Sequence, residues 1–115
     1  MTILEATIKN SVLALTSAEL IELASCMDTP ADMLDKLSRN PYYIIRAHVA
    51  YNPNTSVQTL IKLSGDRANV VREYTMLNRK TPVEIARKLL ADVDWAVVAA
   101  AKIKIKEMCF YERSY

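Results

Sequence analysis

Apolar residues along this chain recur at two nested spacings. Within short stretches they fall at i, i+3, i+4 and i+7, the spacing of one helix face, as in Leu20, Ile21, Leu23, Ala24 and Met27. Over longer distances the pattern itself returns every 26 residues. Leu37, Leu63 and Leu89 form one column, Ile45, Val71 and Val97 a second, Lys36, Lys62 and Lys88 a third. Thr29, Thr55 and Thr81 open the three copies. A fixed period of this size predicts an array of units, each too small to bury its own apolar face and each roofed by its neighbour.

Each copy reads as two helices. The three threonines are predicted to be N-caps whose hydroxyls take an orphaned backbone N–H. Pro30 and Pro82 follow at the first helical position, where a missing N–H costs nothing. The first helix buries Leu34 and Leu37, Leu60 and Leu63, or Ala86 and Leu89, and is predicted to end near Asn40, Asp66 or Asp92. The second begins around Tyr42, Ala68 or Asp94 and buries Ile44, Ile45 and Val49, then Val70, Val71 and Thr75, then Ala96, Val97 and Ala101. Asn52 and Asn78 are expected to close it in the left-handed conformation, and Pro53 forbids continuation. In the third copy Lys104 replaces the Asn, so that helix is expected to run on through Lys106 and Met108.

Residues 1–27 read as an N-terminal helical cap. Ile3, Leu4, Ile8, Val12 and Leu13 suit an amphipathic helix over 3–14, and Thr16-Ser17-Ala18-Glu19 is a capping box opening another. The 26-residue register fails here residue by residue, since Glu19 and Leu20 would fall on Ile45 and Arg46. The predicted organisation is one all-α domain over 1–115. It is a helical solenoid of three two-helix repeats at 28–54, 55–80 and 81–104, between the 1–27 cap and a C-terminal cap or tail at 105–115.

Composition agrees. The 115 residues suffice for one domain, and a single Gly with four Pro argues against a strand-rich fold with many turns. No apolar run approaches the roughly 20 residues of a membrane span, so no membrane association is expected. The opening MTILEATIKN lacks a basic segment and cleavage site, so a secretory signal is not expected either. Cys26 and Cys109 belong to no CxxC or Cys/His cluster. They fit reduced, buried thiols in a cytoplasmic protein, with no disulfide, metal or other cofactor.

The stretch NPNTSVQTLIKLSGDRANVVRE at 52–73 resembles the variant leucine-rich repeat of bacteria, a HEAT-like helical repeat. DTPADMLDKLSRNPYYIIRAHVAYNPNT at 28–55 and KTPVEIARKLLADVDWAVVAAA at 80–101 are its neighbouring copies. The resemblance implies a right-handed superhelix of short helices that acts as an interaction module rather than an enzyme. Some members carry an N-terminal cysteine cluster for an iron–sulfur centre, which has no counterpart here. The third copy also departs, with Val98 in place of the Arg.

Candidate chemistry is sparse. Arg46 and Arg72 share a column early in the second helix, suited either to a ligand's carboxylate or phosphate or to pairing with Asp66 and Asp92 of the adjacent repeat; the structural use is favoured. Tyr43 and Trp95 share another column, and aromatic and Arg residues dominate protein interfaces. Tyr43, Arg46, Arg72, Met76 and Trp95 are therefore the candidate contacts for another protein, the chain serving as an adaptor or as an inhibitor that occupies its target. The alternative partner is nucleic acid. Residues 58–115 carry 11 basic and 7 acidic side chains, a balance of +4. Lys36, Lys62, Arg79, Lys80, Lys88, Lys102 and Lys106 could meet a phosphate backbone, although Asp32, Asp35 and Glu84 sit beside the lysine column. His48, the one histidine, lacks any motif-like partner for acid–base work, and Gly65, the one glycine, excludes a phosphate-binding glycine loop. No catalytic residue is assigned. The tail with Phe110, Tyr111 and Tyr115 reads either as a sticky end or as a segment folded back over the last repeat, and self-association through the end caps is the further alternative.

Overall fold

A computed structural model describes residues 15–113, with side chains as far as Cys109. The helix expected over 3–14 lies outside the described residues, as do the side chains of Phe110, Tyr111 and Tyr115. The described residues form seven helices: α1 (Ser17–Ser25), α2 (Ala31–Leu37), α3 (Tyr43–Tyr51), α4 (Val57–Leu63), α5 (Asn69–Leu77), α6 (Val83–Leu89) and α7 (Trp95–Arg113). No strand occurs among the described residues. The helices α1, α3, α5 and α7 pack side by side in that order, while α2, α4 and α6 lie against them as a second layer. The whole measures 47 × 33 × 18 Å.

Helices of seven or nine residues are marginal alone, so packing between layers must hold them. Leu23, Leu34, Leu37, Ile45, Val49, Leu60, Leu63, Val71 and Val97 are at most 3% exposed. Each buried aliphatic side chain of this kind contributes about 1.5–3 kcal/mol. Leu89 is only half-buried, and Ala86 stands at the position where Leu34 and Leu60 fill the core. The core thins toward α6.

Helix starts at Ser17, Tyr43, Asn69 and Trp95 keep the 26-residue spacing, and so do those at Ala31, Val57 and Val83. The register therefore extends one helix further back than side-chain identity indicated: α1 occupies the place of a second helix, although its sequence reads as a cap. Its capping box is present as predicted, with Thr16 Oγ1 accepting from Glu19 N–H and Glu19 accepting from Thr16 N–H. Met27, expected on the buried stripe of α1, falls beyond the helix end and is exposed.

Two capping expectations are corrected. The hydroxyls of Thr29, Thr55 and Thr81 do not accept from a helix N-terminus. They are buried and donate to the carbonyls of Leu23, Val49 and Thr75, six residues back, at 2.6, 2.6 and 2.7 Å. Each is a second donor to a carbonyl in the last turn of the previous helix, which also accepts from the backbone N–H of Cys26, Asn52 or Asn78. Pro30, Ser56 and Pro82 stand at the N-caps instead, and Ser56 Oγ accepts from Thr59 N–H. Likewise Asn52 and Asn78 are not left-handed: their φ angles are −70° and −80°. Their side-chain amides reach across to the preceding unit. Asn52 Nδ2 donates to Ala24 and Cys26 carbonyls, both at 2.8 Å, and Asn78 Nδ2 donates to Ala50 and Asn52 carbonyls, both at 2.9 Å.

The first helices also end sooner than predicted, at Leu37, Leu63 and Leu89. Asn40, Asp66 and Asp92 accept the N–H two residues on, from Tyr42, Ala68 and Asp94. That side-chain turn competes with further helix. As expected, α7 runs on past Lys106 and Met108. Lys104, at the Asn position, is buried, and its Nζ donates to Asn78 O at 2.8 Å, keeping one of the two inter-unit bonds.

Candidate interaction surface

The arginine column is consumed by the scaffold. Arg46 Nε and Nη2 form a two-pronged pair with Asp66 at 2.8 and 3.0 Å, and Nη1 donates to the carbonyls of Asn40 and Pro41. Arg72 repeats this with Asp92 at 2.8 and 3.1 Å and with the Asp66 carbonyl. Both pairs are largely shielded, with side chains 6–14% exposed. Burial raises the Asp66 carboxyl pKa, but the Arg46 guanidinium and the Ala68 N–H outweigh it and hold the group below the ordinary carboxylate value. The Arg72 hydrogen bond does the same for Asp92, and reciprocally raises Arg72. At the equivalent of the Arg in α1 stands Leu20, and 20 residues on stands the neutral Asn40 in place of an acid. Arg and Asp thus occur together or not at all, which is what a pairing role requires.

Met76 also leaves the candidate set, since it is 2% exposed and packs with Ala86, Ala100 and Ala101. Of the five proposed contacts, Tyr43 and Trp95 reach the surface, at 46% and 80% exposed. They stand two helices apart, with Asn69 between them held by Asp94 at 2.8 Å.

A second apolar column on the same helices went unrecognised in the sequence. Tyr51, Leu77 and Ile103 lie at one register position, in the last turns of α3 and α5 and the equivalent turn of α7. They are 61%, 46% and 53% exposed. The recurrence every 26 residues was visible, but an apolar residue at helical spacing reads as core until the packing layer is known. Tyr51 additionally rests on Tyr74, ring centroids 5.8 Å apart.

Around this column the surface is concave. A groove of about 320 Å³ runs between α5 and α7, lined by Glu73, Leu77, Trp95, Ala96, Ala99, Ala100 and Ile103. Three alanines along α7 leave room for a side chain between the larger Leu77, Trp95 and Ile103. A neighbouring hollow of about 470 Å³ is lined by Tyr51, Pro53, Leu77, Asn78, Arg79 and Lys80. Leu77 lines both, so the two adjoin.

The basic candidates do not converge. Lys36, Lys62 and Lys88 lie on α2, α4 and α6, in the other layer, and Lys62 stands 3.8 Å from Asp35. Arg79 and Lys80 are exposed in the turn after α5, and Lys102 and Lys106 are exposed on α7. The lysine between them, Lys104, turns inward; burial lowers its ammonium pKa, which Glu107 partly opposes. His48 is half-buried. No helix among the described residues is long and apolar enough to cross a membrane. Comparison of the chain with known proteins gave no matching family model, no matching curated protein and no matching solved structure.

Proposed function

We propose that this chain is a non-catalytic helical-repeat module that binds another protein, as an adaptor or as an inhibitor occupying its target. In this reading residues 28–54, 55–80 and 81–104 are three stacked units of a right-handed solenoid akin to the variant leucine-rich repeat. The inter-unit bonds of Asn52 and Asn78 and the recurring Arg–Asp pairs support stacking, because each links a unit to the next at the same register position.

One observation carries the functional part. Tyr51, Leu77 and Ile103 leave about half their surface in water, and Trp95 80% of it, around two adjoining hollows that share Leu77. Contiguous exposed apolar surface is costly in a monomer and marks a site of association, and Trp and Tyr are the commonest anchors of protein interfaces. The scaffold beneath is held by buried polar bonds rather than by adjustable side chains, so the surface is preformed and binding need not order it.

Site-specific photo-crosslinking tests this. A benzophenone side chain placed at position 103 should capture one defined protein in the native host, whereas the same group at position 62 in the other layer should not. Equal capture at both positions, or none at position 103, contradicts the reading.

A further inference from the structure

The edge of the α3–α5–α7 layer where the second helices end combines two chemistries. The apolar part is the column of Tyr51, Leu77 and Ile103, all exposed. The cationic part is Arg79 and Lys80, which line the same hollow as Tyr51 and Leu77 with no carboxylate among the lining residues. Among the described residues neither cation forms an ion pair. Lys80 Nζ has only a long contact of 3.4 Å to Thr55 O, and Arg79 is exposed. Glu73, the acid nearest this column on α5, lies one turn further up, in the groove toward α7. Glu107 on α7 is accompanied by Lys106. At Tyr51 and Leu77 the edge is thus apolar and then positive, while Glu73 one turn above and Glu107 one turn past Ile103 carry the negative charge.

The spacing constrains the shape of an occupant. Packed helices stand about 8–10 Å apart, so side chains at one register position repeat at that distance across the layer. An extended chain of the polyproline II type advances about 3.1 Å per residue with three residues per turn, so its side chains three positions apart share one face about 9 Å apart. A helix laid along the groove between α5 and α7 would instead run past Glu73 and meet only one member of the column on each side.

Resting on the protein-binding reading above, we propose that this edge takes an extended, acidic segment of the partner. Its apolar side chains, three positions apart, seat against Tyr51, Leu77 and Ile103, and its carboxylates meet Arg79 and Lys80.

Peptide selection followed by fluorescence anisotropy tests this. Displayed random dodecapeptides are selected on the full chain, and the enriched peptides are labelled and titrated against variants whose helicity is checked by circular dichroism. The expected result is enrichment of Asp or Glu among apolar residues at three-residue spacing. Arg79→Glu with Lys80→Glu should weaken binding about tenfold at low salt, and added salt should weaken wild-type binding. Lys36→Glu with Lys62→Glu should change it less than twofold.

Enriched peptides without carboxylates, weakened by Leu77→Asp but not by the charge reversal, overturn the acidic segment and leave the protein-binding surface standing. Peptides indifferent to Leu77→Asp, or no enrichment at all, overturn the segment proposal; indifference to Leu77→Asp also removes this surface as the protein-binding site. A labelled single-stranded or duplex oligonucleotide that binds more tightly than any peptide, and loses binding on the same charge reversal, overturns it in favour of nucleic acid.

Discussion

Asn78→Ala is the substitution that the scaffold should tolerate least for its size. The side chain is 4% exposed. Its Nδ2 donates to Ala50 O and Asn52 O, and its Oδ1 accepts from Lys80 N–H at 3.0 Å. Truncation leaves the Ala50 carbonyl and the Lys80 N–H without these partners, while the Asn52 carbonyl keeps the Thr55 N–H. Unpaired buried polar groups cost about 1–3 kcal/mol each, and access of water to the turn at Lys80 moderates the second. The expected loss is about 2–4 kcal/mol, a large share of the roughly 5–15 kcal/mol that holds a domain of this kind. Asn78→Asp should be no better, since it removes both donors and places a carboxylate against two carbonyl oxygens. Urea unfolding followed by circular dichroism measures the change, with the slope against denaturant confirming that the same surface unfolds. Asn69→Ala is the control: this Asn is exposed and makes one bond, to Asp94, so its loss should stay under about 1 kcal/mol. If the two variants were equally stable, or Asn78→Ala cost less than 1 kcal/mol, the amide bridge between units would not be holding them together.

Other perturbations test the remaining parts of the scaffold. Leu63→Ala, at a core position 3% exposed, should cost about 2–5 kcal/mol by the same urea measurement. Leu77→Ala, at an exposed position, should cost far less. Asp92→Asn leaves the shielded Arg72 without its carboxylate and should cost about 3–5 kcal/mol at neutral pH. Because the Asp92 and Asp66 pKa values are lowered in the folded chain, their contribution is present above the ordinary carboxylate value and fades as pH falls through the folded values. The gap between wild type and Asp92→Asn should therefore narrow below about pH 4. Lys104 works in the opposite sense. Its folded pKa is lowered by burial, so the folded chain bears a charging cost that lifts as pH rises toward the unfolded value of about 10.4. Stability measured in urea should show a component rising over that window that Lys104→Met abolishes.

Periodicity in the sequence carried the helices and most of the core, because the spacing of Leu37, Leu63 and Leu89 or of Ile45, Val71 and Val97 is a direct imprint of packing. The roles of polar residues were less accessible. A threonine hydroxyl can accept or donate, and Thr29, Thr55 and Thr81 looked like caps of the helix they precede; only the fold shows them donating to the helix before. Asn52 and Asn78 sit at helix ends, where a left-handed residue is common, but their partners lie 26 and 28 residues away. Such distant partners leave no local signal. Pairing of Arg46 with Asp66 and Arg72 with Asp92 was accessible because both charges recur together. The exposed column of Tyr51, Leu77 and Ile103 was hidden for the opposite reason: its spacing is that of core residues, and its exposure depends on which face the second layer covers.

In the proposed stacked array the Asn amides tie successive units together, and so underlie both the scaffold and the surface it displays. Nuclear Overhauser effects from the Asn52 and Asn78 side-chain NH₂ groups, in a uniformly labelled sample, test it most directly. Cross-peaks from Asn52 to protons around Ala24–Cys26 and from Asn78 to protons around Ala50–Asn52, with slowed exchange of both amides, are the predicted result. Side-chain amides that exchange freely with water and show only sequential contacts would contradict it.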